Sequence, residues 1–134
     1  MEKVKLNVLG LSYSQTQAGA YALVLSEEEN NRRIPIIIGG FEAQAIAIEL
    51  EGMSPPRPLT HDLFLKFSNE VGASVKEVII SKLEEGIFYS DIIFEMNGTQ
   101  KKIDARTSDA VALALRFKCP IYTTQDILSK AGIV

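Results

Sequence analysis

Cysteine and histidine are nearly absent from this sequence, which contains one of each in 134 residues. The single cysteine, Cys119, cannot close an internal disulfide bond, and its apolar setting is typical of a small buried residue. A structural zinc site, or a cysteine nucleophile with a histidine base, would require Cys119 to meet His61. The composition therefore argues against a disulfide-stabilised domain and against both of these site types.

Motifs of several large enzyme classes are missing as well. The sequence has no Gly-x-x-x-x-Gly-Lys-Ser/Thr loop, no Gly-x-Gly-x-x-Gly fingerprint, no Cys-x-x-Cys pair and no His-Glu-x-x-His motif. No apolar run approaches the roughly 18 residues that cross a membrane, and the first residues lack the apolar core of a signal peptide. We therefore expect a cytoplasmic protein with no membrane anchor.

Positive charge is also in slight deficit. Lysine and arginine number 14 against 17 aspartate and glutamate residues, so the net charge is −3. This balance argues against a protein held on nucleic acid by a general positive field, although it leaves room for a local basic groove. Hydrophobic residues make up 46% and charged residues 23% of the chain, as in soluble globular proteins. The length predicts a single domain over residues 1–134.

The sequence does contain a pattern of short strands and a few helices. Alternating or β-branched apolar residues between turn residues predict strands, and runs with a 3.6-residue period predict helices. Strands are expected at residues 3–11, 20–25, 33–38, 75–83, 87–96, 99–105 and 121–123. Helices are expected at residues 41–50, 60–71 and 108–117, with a short closing helical segment at 125–131. This order predicts an α+β fold with mixed or antiparallel strands, a meander hairpin in the C-terminal half, and about three helices packed on the sheet.

The dipeptide Asn97-Gly98 is a strong signal for a two-residue type I′ hairpin. Such a turn sets the register of the flanking strands and places Asp91 opposite Asp104, with Arg106 on the same face. Two facing carboxylates repel each other unless a proton, an arginine or a metal ion lies between them. Arg106 is the nearer candidate, and a hard cation such as Mg²⁺ or Mn²⁺ is the alternative.

The only histidine, His61, lies in a segment that has the features both of a helix start and of a site. Thr60 has the chemistry of a helix cap, and Asp62 suits a first turn that favours negative charge. His61 itself is needed for neither role. Capping also leaves Arg57 and Arg106 unexplained, because an arginine before a helix start gains nothing from the helix dipole. These arginines either pair with nearby acids or bind an anion, and the sequence leaves both alternatives open.

Four segments resemble, in this order, the bifunctional nuclease domain family: PIIIG at residues 35–39, RPLTHD at residues 57–62, GIFY at residues 86–89 and IDARTSDA at residues 103–110. The family's usual ARPSDA reads ARTSDA here, and Thr107 can cap a helix where proline would only stiffen the chain. The resemblance implies a mixed α+β domain, often oligomeric, whose plant members are described as degrading both RNA and DNA.

Two functions follow from this resemblance and from the polar residues. In the first, the chain is a nuclease that hydrolyses phosphodiester bonds, with His61 as general acid or base and with Arg57 and Arg106 holding the phosphate. The remaining candidates are acids that orient water or bind Mg²⁺ or Mn²⁺: Glu42, Asp62 and Asp104. In the second, the same residues form a structural polar network in a non-catalytic binding or regulatory domain. The two functions differ in whether these side chains meet at a solvent-open cleft.

A homo-oligomer, most simply a dimer, is also expected. Several strands carry apolar runs, while few long polar helical faces are available to cover them. The family resemblance points in the same direction.

Overall fold

The structure is a computed structural model that describes residues 2–13 and 19–133. Across these ranges, seven strands form one mixed sheet on which four helices pack, which confirms the predicted α+β fold. The elements in chain order are β1 (Lys3–Tyr13), β2 (Ala20–Glu27), β3 (Arg33–Gly39), α1 (Gly40–Leu50), α2 (Thr60–Val71), β4 (Ala73–Glu84), β5 (Ile87–Met96), β6 (Thr99–Arg106), α3 (Thr107–Phe117), β7 (Ile121–Thr124) and α4 (Gln125–Ala131). None of the four helices in these ranges has the length and hydropathy required to cross a membrane.

The sheet consists of two antiparallel meanders joined by one short strand. Its strand order is β3-β2-β1-β7-β4-β5-β6. The four-residue strand β7 runs antiparallel to β1 and parallel to β4, so it connects the first meander to the second. Pro35 lies on β3, which is an edge strand. Proline lacks a backbone N–H group, and an edge strand tolerates this because it pairs on one side only.

The hairpin between β5 and β6 has the predicted turn. Asn97 and Gly98 have φ angles of 55° and 76°, the positive values that a type I′ turn requires. Asp91 lies opposite Asp104, and the pairing of the two strands runs without a register shift. The predicted register is therefore confirmed.

The hydrophobic core is built around α3, in which eight of eleven residues are buried. Alanines make up much of this helix, and their small side chains allow close packing against α1 and β4. Among the residues of α2 and β6, in contrast, only Ser68 is fully buried. The largest fully buried apolar side chains are Leu23, Leu25, Ile34, Ile46, Ile80, Ile127, Leu128, Val78 and Val111.

Two predicted helix caps are wrong, because each helix includes, as its first residue, the threonine that was expected to cap it. Thr60 is the first residue of α2, and Leu59 occupies the cap position. The Leu59 backbone N–H donates instead to the Asp62 carboxylate at 2.9 Å. Thr107 is the first residue of α3, and its hydroxyl bonds the Ser90 hydroxyl at 2.6 Å inside the core. Tertiary contacts, rather than local capping, account for the side-chain hydrogen bond of Thr107.

Candidate functional site

A cavity of about 810 Å³ lies where the first turns of three helices approach strands β5 and β6. Each helix contributes one ionisable side chain from its first turn: Glu42 from α1, His61 from α2 and Asp109 from α3. Arg106 joins them from the end of β6. Because unpaired N–H groups make the start of a helix partly positive, this arrangement favours negative charge in the cavity.

The four ionisable side chains form one continuous chain of hydrogen bonds. His61 Nε2 lies 3.0 Å from Asp109 Oδ1, and Arg106 Nε donates to Asp109 Oδ2 at 2.8 Å. Arg106 Nη2 donates in turn to Glu42 Oε2 at 3.3 Å. Asp109 is thus the central acceptor, and it couples the histidine of α2 to the arginine of β6.

The charge state of Asp109 determines which ring nitrogen of His61 carries the proton. Burial raises the pKa of Asp109, but hydrogen bonds from Arg106 and His61 outweigh this effect and hold that pKa below its usual range. An ionised carboxylate only accepts hydrogen bonds, so Nε2 of His61 carries the proton and Nδ1 is the basic nitrogen of the neutral ring. The His61 side chain is 14% exposed and that of Arg106 is 67% exposed. The histidine is therefore sheltered while the guanidinium reaches solvent.

Gly39 allows Glu42 to reach Arg106. A Cβ atom at Gly39 would lie 2.8 Å from Glu42 Oε1, closer than real contacts permit. Any other residue at this position would push the carboxylate aside. The absence of a side chain at the start of α1 therefore helps to place the acid of the cluster.

A second ion pair, which sequence reasoning missed, fixes α2 to the core. The Arg116 side chain is 1% exposed and donates to Asp62 Oδ1 at 2.7 Å. It also donates to the backbone oxygens of Ala112 at 3.0 Å and Ala45 at 3.1 Å. Burial raises the pKa of Asp62, but hydrogen bonds from Leu59 and Arg116 outweigh it and hold that pKa below its usual range. Asp62 therefore joins the first turn of α2 to α3 and does not line the cavity.

The structure brings together some of the predicted site residues and separates others. Glu42, His61 and Arg106 line the cavity side by side, and Asp104 borders it from β6. Arg57 is exposed, does not line the cavity, and makes no ion pair with any residue in the described ranges. Asp109 was not among the candidate residues from the sequence, although its position three residues after Arg106 at a helix start was a usable signal.

The prediction that Arg106 neutralises Asp91 and Asp104 is wrong. Arg106 stands where β6 ends and α3 begins, so its side chain turns to Glu42 and Asp109 instead. Within residues 2–13 and 19–133, no three His, Cys, Asp or Glu side chains are arranged to hold a metal ion.

Cys119 is separate from this cluster. It borders a different surface depression with Leu50 and Pro120, while His61 has Asp109 as its partner. Burial raises the pKa of the Cys119 thiol to about 11, so the thiol is protonated at neutral pH. The sequence predicted a small buried residue, and Cys119 is only partly buried.

Comparisons with known proteins agree with the sequence resemblance. The family model of the bifunctional nuclease domain matches residues 23–134. An uncharacterized protein of Mycobacterium tuberculosis is 45% identical over 130 residues, which are 97% of this chain and 77% of that protein. Bifunctional nuclease 1 of Oryza sativa subsp. indica and the bifunctional nuclease of Oryza minuta are each 25% identical over 117 residues, which are 84% of this chain and 35% of theirs. The chain belongs to the bifunctional nuclease domain family.

Proposed function

We propose that this chain is a nuclease that hydrolyses phosphodiester bonds of RNA or DNA at the cavity lined by Glu42, His61, Arg106 and Asp109. The observation that carries the proposal is that the hydrogen-bonded chain of these four residues opens on a large cavity. A purely structural network would be expected to be sealed within the core. The names of the two rice relatives support the same reaction class.

In the proposed reaction, His61 moves the proton. Its Nδ1 takes a proton from the attacking water, and Asp109 stabilises the imidazolium that forms. The same hydrogen bond holds the ring orientation during the transfer. As the water oxygen bonds to phosphorus, the P–O bond to the leaving oxygen breaks, and that oxygen takes a proton from solvent. Acid–base catalysis of this kind typically contributes 10²–10⁴-fold to a rate.

Arg106 is the proposed phosphate ligand. A guanidinium has five N–H donors, and Asp109 and Glu42 engage Nε and Nη2 from one side. The other donors face solvent, where they stabilise the negative charge that develops on the phosphate in the transition state. Glu42 and Asp109 thus hold the arginine at the edge of the cavity.

The side chains that hold Arg106 carry more negative charge than it balances, because Glu42 and Asp109 face one guanidinium. The N-termini of three helices meet at this cavity, and their partial positive charge offsets the excess. Arg57, exposed before α2, is proposed to bind a neighbouring phosphate of the strand. Binding of Mg²⁺ or Mn²⁺ by the acids of the site remains a prediction from the sequence.

The test compares the parent protein with His61→Ala and Arg106→Ala, purified in parallel. Each is incubated with end-labelled single-stranded RNA or DNA in Mg²⁺, Mn²⁺ or EDTA. The parent is expected to cleave, and His61→Ala to lose 10²–10⁴-fold in rate. Arg33→Ala, which removes an exposed arginine on β3, is the control and should retain the parent rate. Equal cleavage by parent and His61→Ala indicates a contaminating nuclease and contradicts the proposal, as does inactivity of both.

We also propose a homo-oligomer, most simply a dimer. Large apolar side chains are exposed on α2 and near it, among them Leu63, Phe67 and Ile103. An exposed apolar surface of this kind usually marks an interaction site. The same observation favours the second candidate function, a non-catalytic regulatory oligomer. Light scattering that reports a monomer at micromolar concentration would contradict the oligomer. The cytoplasmic location remains a prediction from the sequence.

A further inference from the structure

Phe41 is exposed to an unusual degree. Its side chain is 86% exposed, the largest value among the large hydrophobic residues in the described ranges. It lies in the first turn of α1, directly before Glu42, and it lines the same cavity as the polar cluster. A ring so open to water contributes little to the stability of the fold, and it extends the apolar part of the cavity lining.

The wall of the cavity near Phe41 is largely apolar. Phe64 of α2 and Ile103 of β6 also line it, and each is partly exposed. Phe64 is held by an edge-to-face contact with Phe117, with ring centroids 6.4 Å apart. Phe41, in contrast, stacks on no other aromatic ring in the described residues. Its ring face is therefore available to a flat ligand.

We propose that Phe41 is a stacking platform for an unpaired nucleobase, so that the cavity takes single-stranded nucleic acid. The proposal rests on the proposed nuclease function and specifies its substrate. Phe41 is adjacent in sequence to Glu42, whose carboxylate binds Arg106 at 3.3 Å, so the ring and the phosphate ligand belong to one site. A nucleotide combines the two groups that this site would recognise, a flat aromatic base and an anionic phosphate.

The exposed ring favours a single strand because duplex bases already have both faces covered by their neighbours. Stacking on an aromatic side chain is sequence-tolerant, since every base has a π face. A purely apolar partner fits less well, because the charged cluster of Glu42, Arg106 and Asp109 lines the same cavity. The geometry thus assigns Phe41 to base binding and Arg106 to phosphate binding.

The test measures binding separately from cleavage. Anisotropy of a fluorescent oligothymidylate is compared with that of an abasic oligomer carrying the same number of phosphates, in a His61→Ala background so that substrate is not consumed. Phe41→Ala should weaken binding of the oligothymidylate about 5- to 150-fold and leave binding of the abasic oligomer unchanged. Phe41→Trp should retain or strengthen binding of the oligothymidylate. Tyr13→Ala removes an exposed ring outside the cavity and should bind as the background protein does.

The outcomes distinguish this proposal from the proposed function. If Phe41→Ala weakens both oligomers equally, or neither, base stacking is refuted. If Phe41→Ala instead lowers the mass measured by light scattering, Phe41 packs against a second copy of the chain, and base stacking is refuted as well. Base-dependent binding together with a parent that never cleaves would refute the nuclease function and uphold the stacking. Cleavage by the parent with unaltered binding by Phe41→Ala would refute the stacking alone.

Discussion

Helices α2 and α3 have nearly the same length but opposite relations to the core. α3 buries eight of its eleven residues, whereas α2 buries only Ser68 among twelve. α3 is held by apolar packing, and the first turn of α2 is held by two polar contacts, Asp62 with Arg116 and His61 with Asp109. The candidate site lies where the two helices meet. The proposed catalytic histidine, on a helix with one buried residue, is thus positioned by a contact to a helix that is mostly buried.

The largest effect is expected from removing the ion pair that joins the two helices. Arg116→Met leaves Asp62 partly buried without its partner, which typically costs about 3–5 kcal/mol of unfolding free energy. Urea denaturation measures the change. Arg33→Met, on the surface, is the control and should shift stability by less than about 0.5 kcal/mol. If both variants unfold at the same urea concentration, polar contacts are not what holds α2.

The same substitution in the two helices tests the comparison directly. Leu113 of α3 is 3% exposed and Leu63 of α2 is 61% exposed. Leu113→Ala is expected to cost about 2–5 kcal/mol because it leaves a cavity in the core. Leu63→Ala should change stability by less than about 0.5 kcal/mol. Thermal and urea unfolding check both values, and equal losses would show that α2 is packed as firmly as α3.

Acid should weaken the contacts of α2 as well. The pKa values of Asp62 and Asp109 lie below their usual range in the folded protein. The stability they contribute is therefore complete above the unfolded aspartate pKa of about 3.9 and is lost as the pH falls through the lower folded values. Urea denaturation at several pH values should show an unfolding free energy that declines below about pH 4. Asp62→Asn should make this decline shallower, and an unchanged slope would contradict the assignment.

The smallest effects are expected at the start of α2. His61→Ala removes one hydrogen bond from an acid that keeps Arg106, so it should cost at most about 1.5 kcal/mol. Thr60→Ala should cost less than about 0.5 kcal/mol, because Thr60 is not the cap. Calorimetry measures both midpoints. A larger loss at Thr60 than at His61 would restore the threonine as a stabilising residue of the helix start.

Much of the fold was predictable because its signals are local. Asn97 and Gly98 adopt the positive φ angles of a two-residue turn, and this turn alone determines which residues of β5 and β6 face each other. Gly72 ends α2 with a φ of 76°, as expected for a helix stop. Three of the candidate residues, Glu42, His61 and Arg106, line one cavity, and two of them, His61 and Arg106, lie in the segments that resemble the family.

The partners of these residues were not predictable in the same way. His61 lies 48 residues from Asp109 along the chain, and Asp62 lies 54 residues from Arg116. Nothing local to either residue specifies which distant charge it will meet. Arg106 was assigned to the acids of its own hairpin, but the turn into α3 directs it towards α1. Side-chain direction at the end of an element depends on what packs there.

The sequence by itself determined the order of strands and helices, the hairpin register and the identity of the polar residues near the site. Hydrogen bonds between near neighbours and the periodicity of apolar residues are sufficient for these features. Only the tertiary structure decided that β7 joins the two meanders, that Asp62 pairs with Arg116, and that Asp109 couples His61 to Arg106. These arrangements depend on contacts between residues far apart in the chain, which form only when the core excludes water from around them.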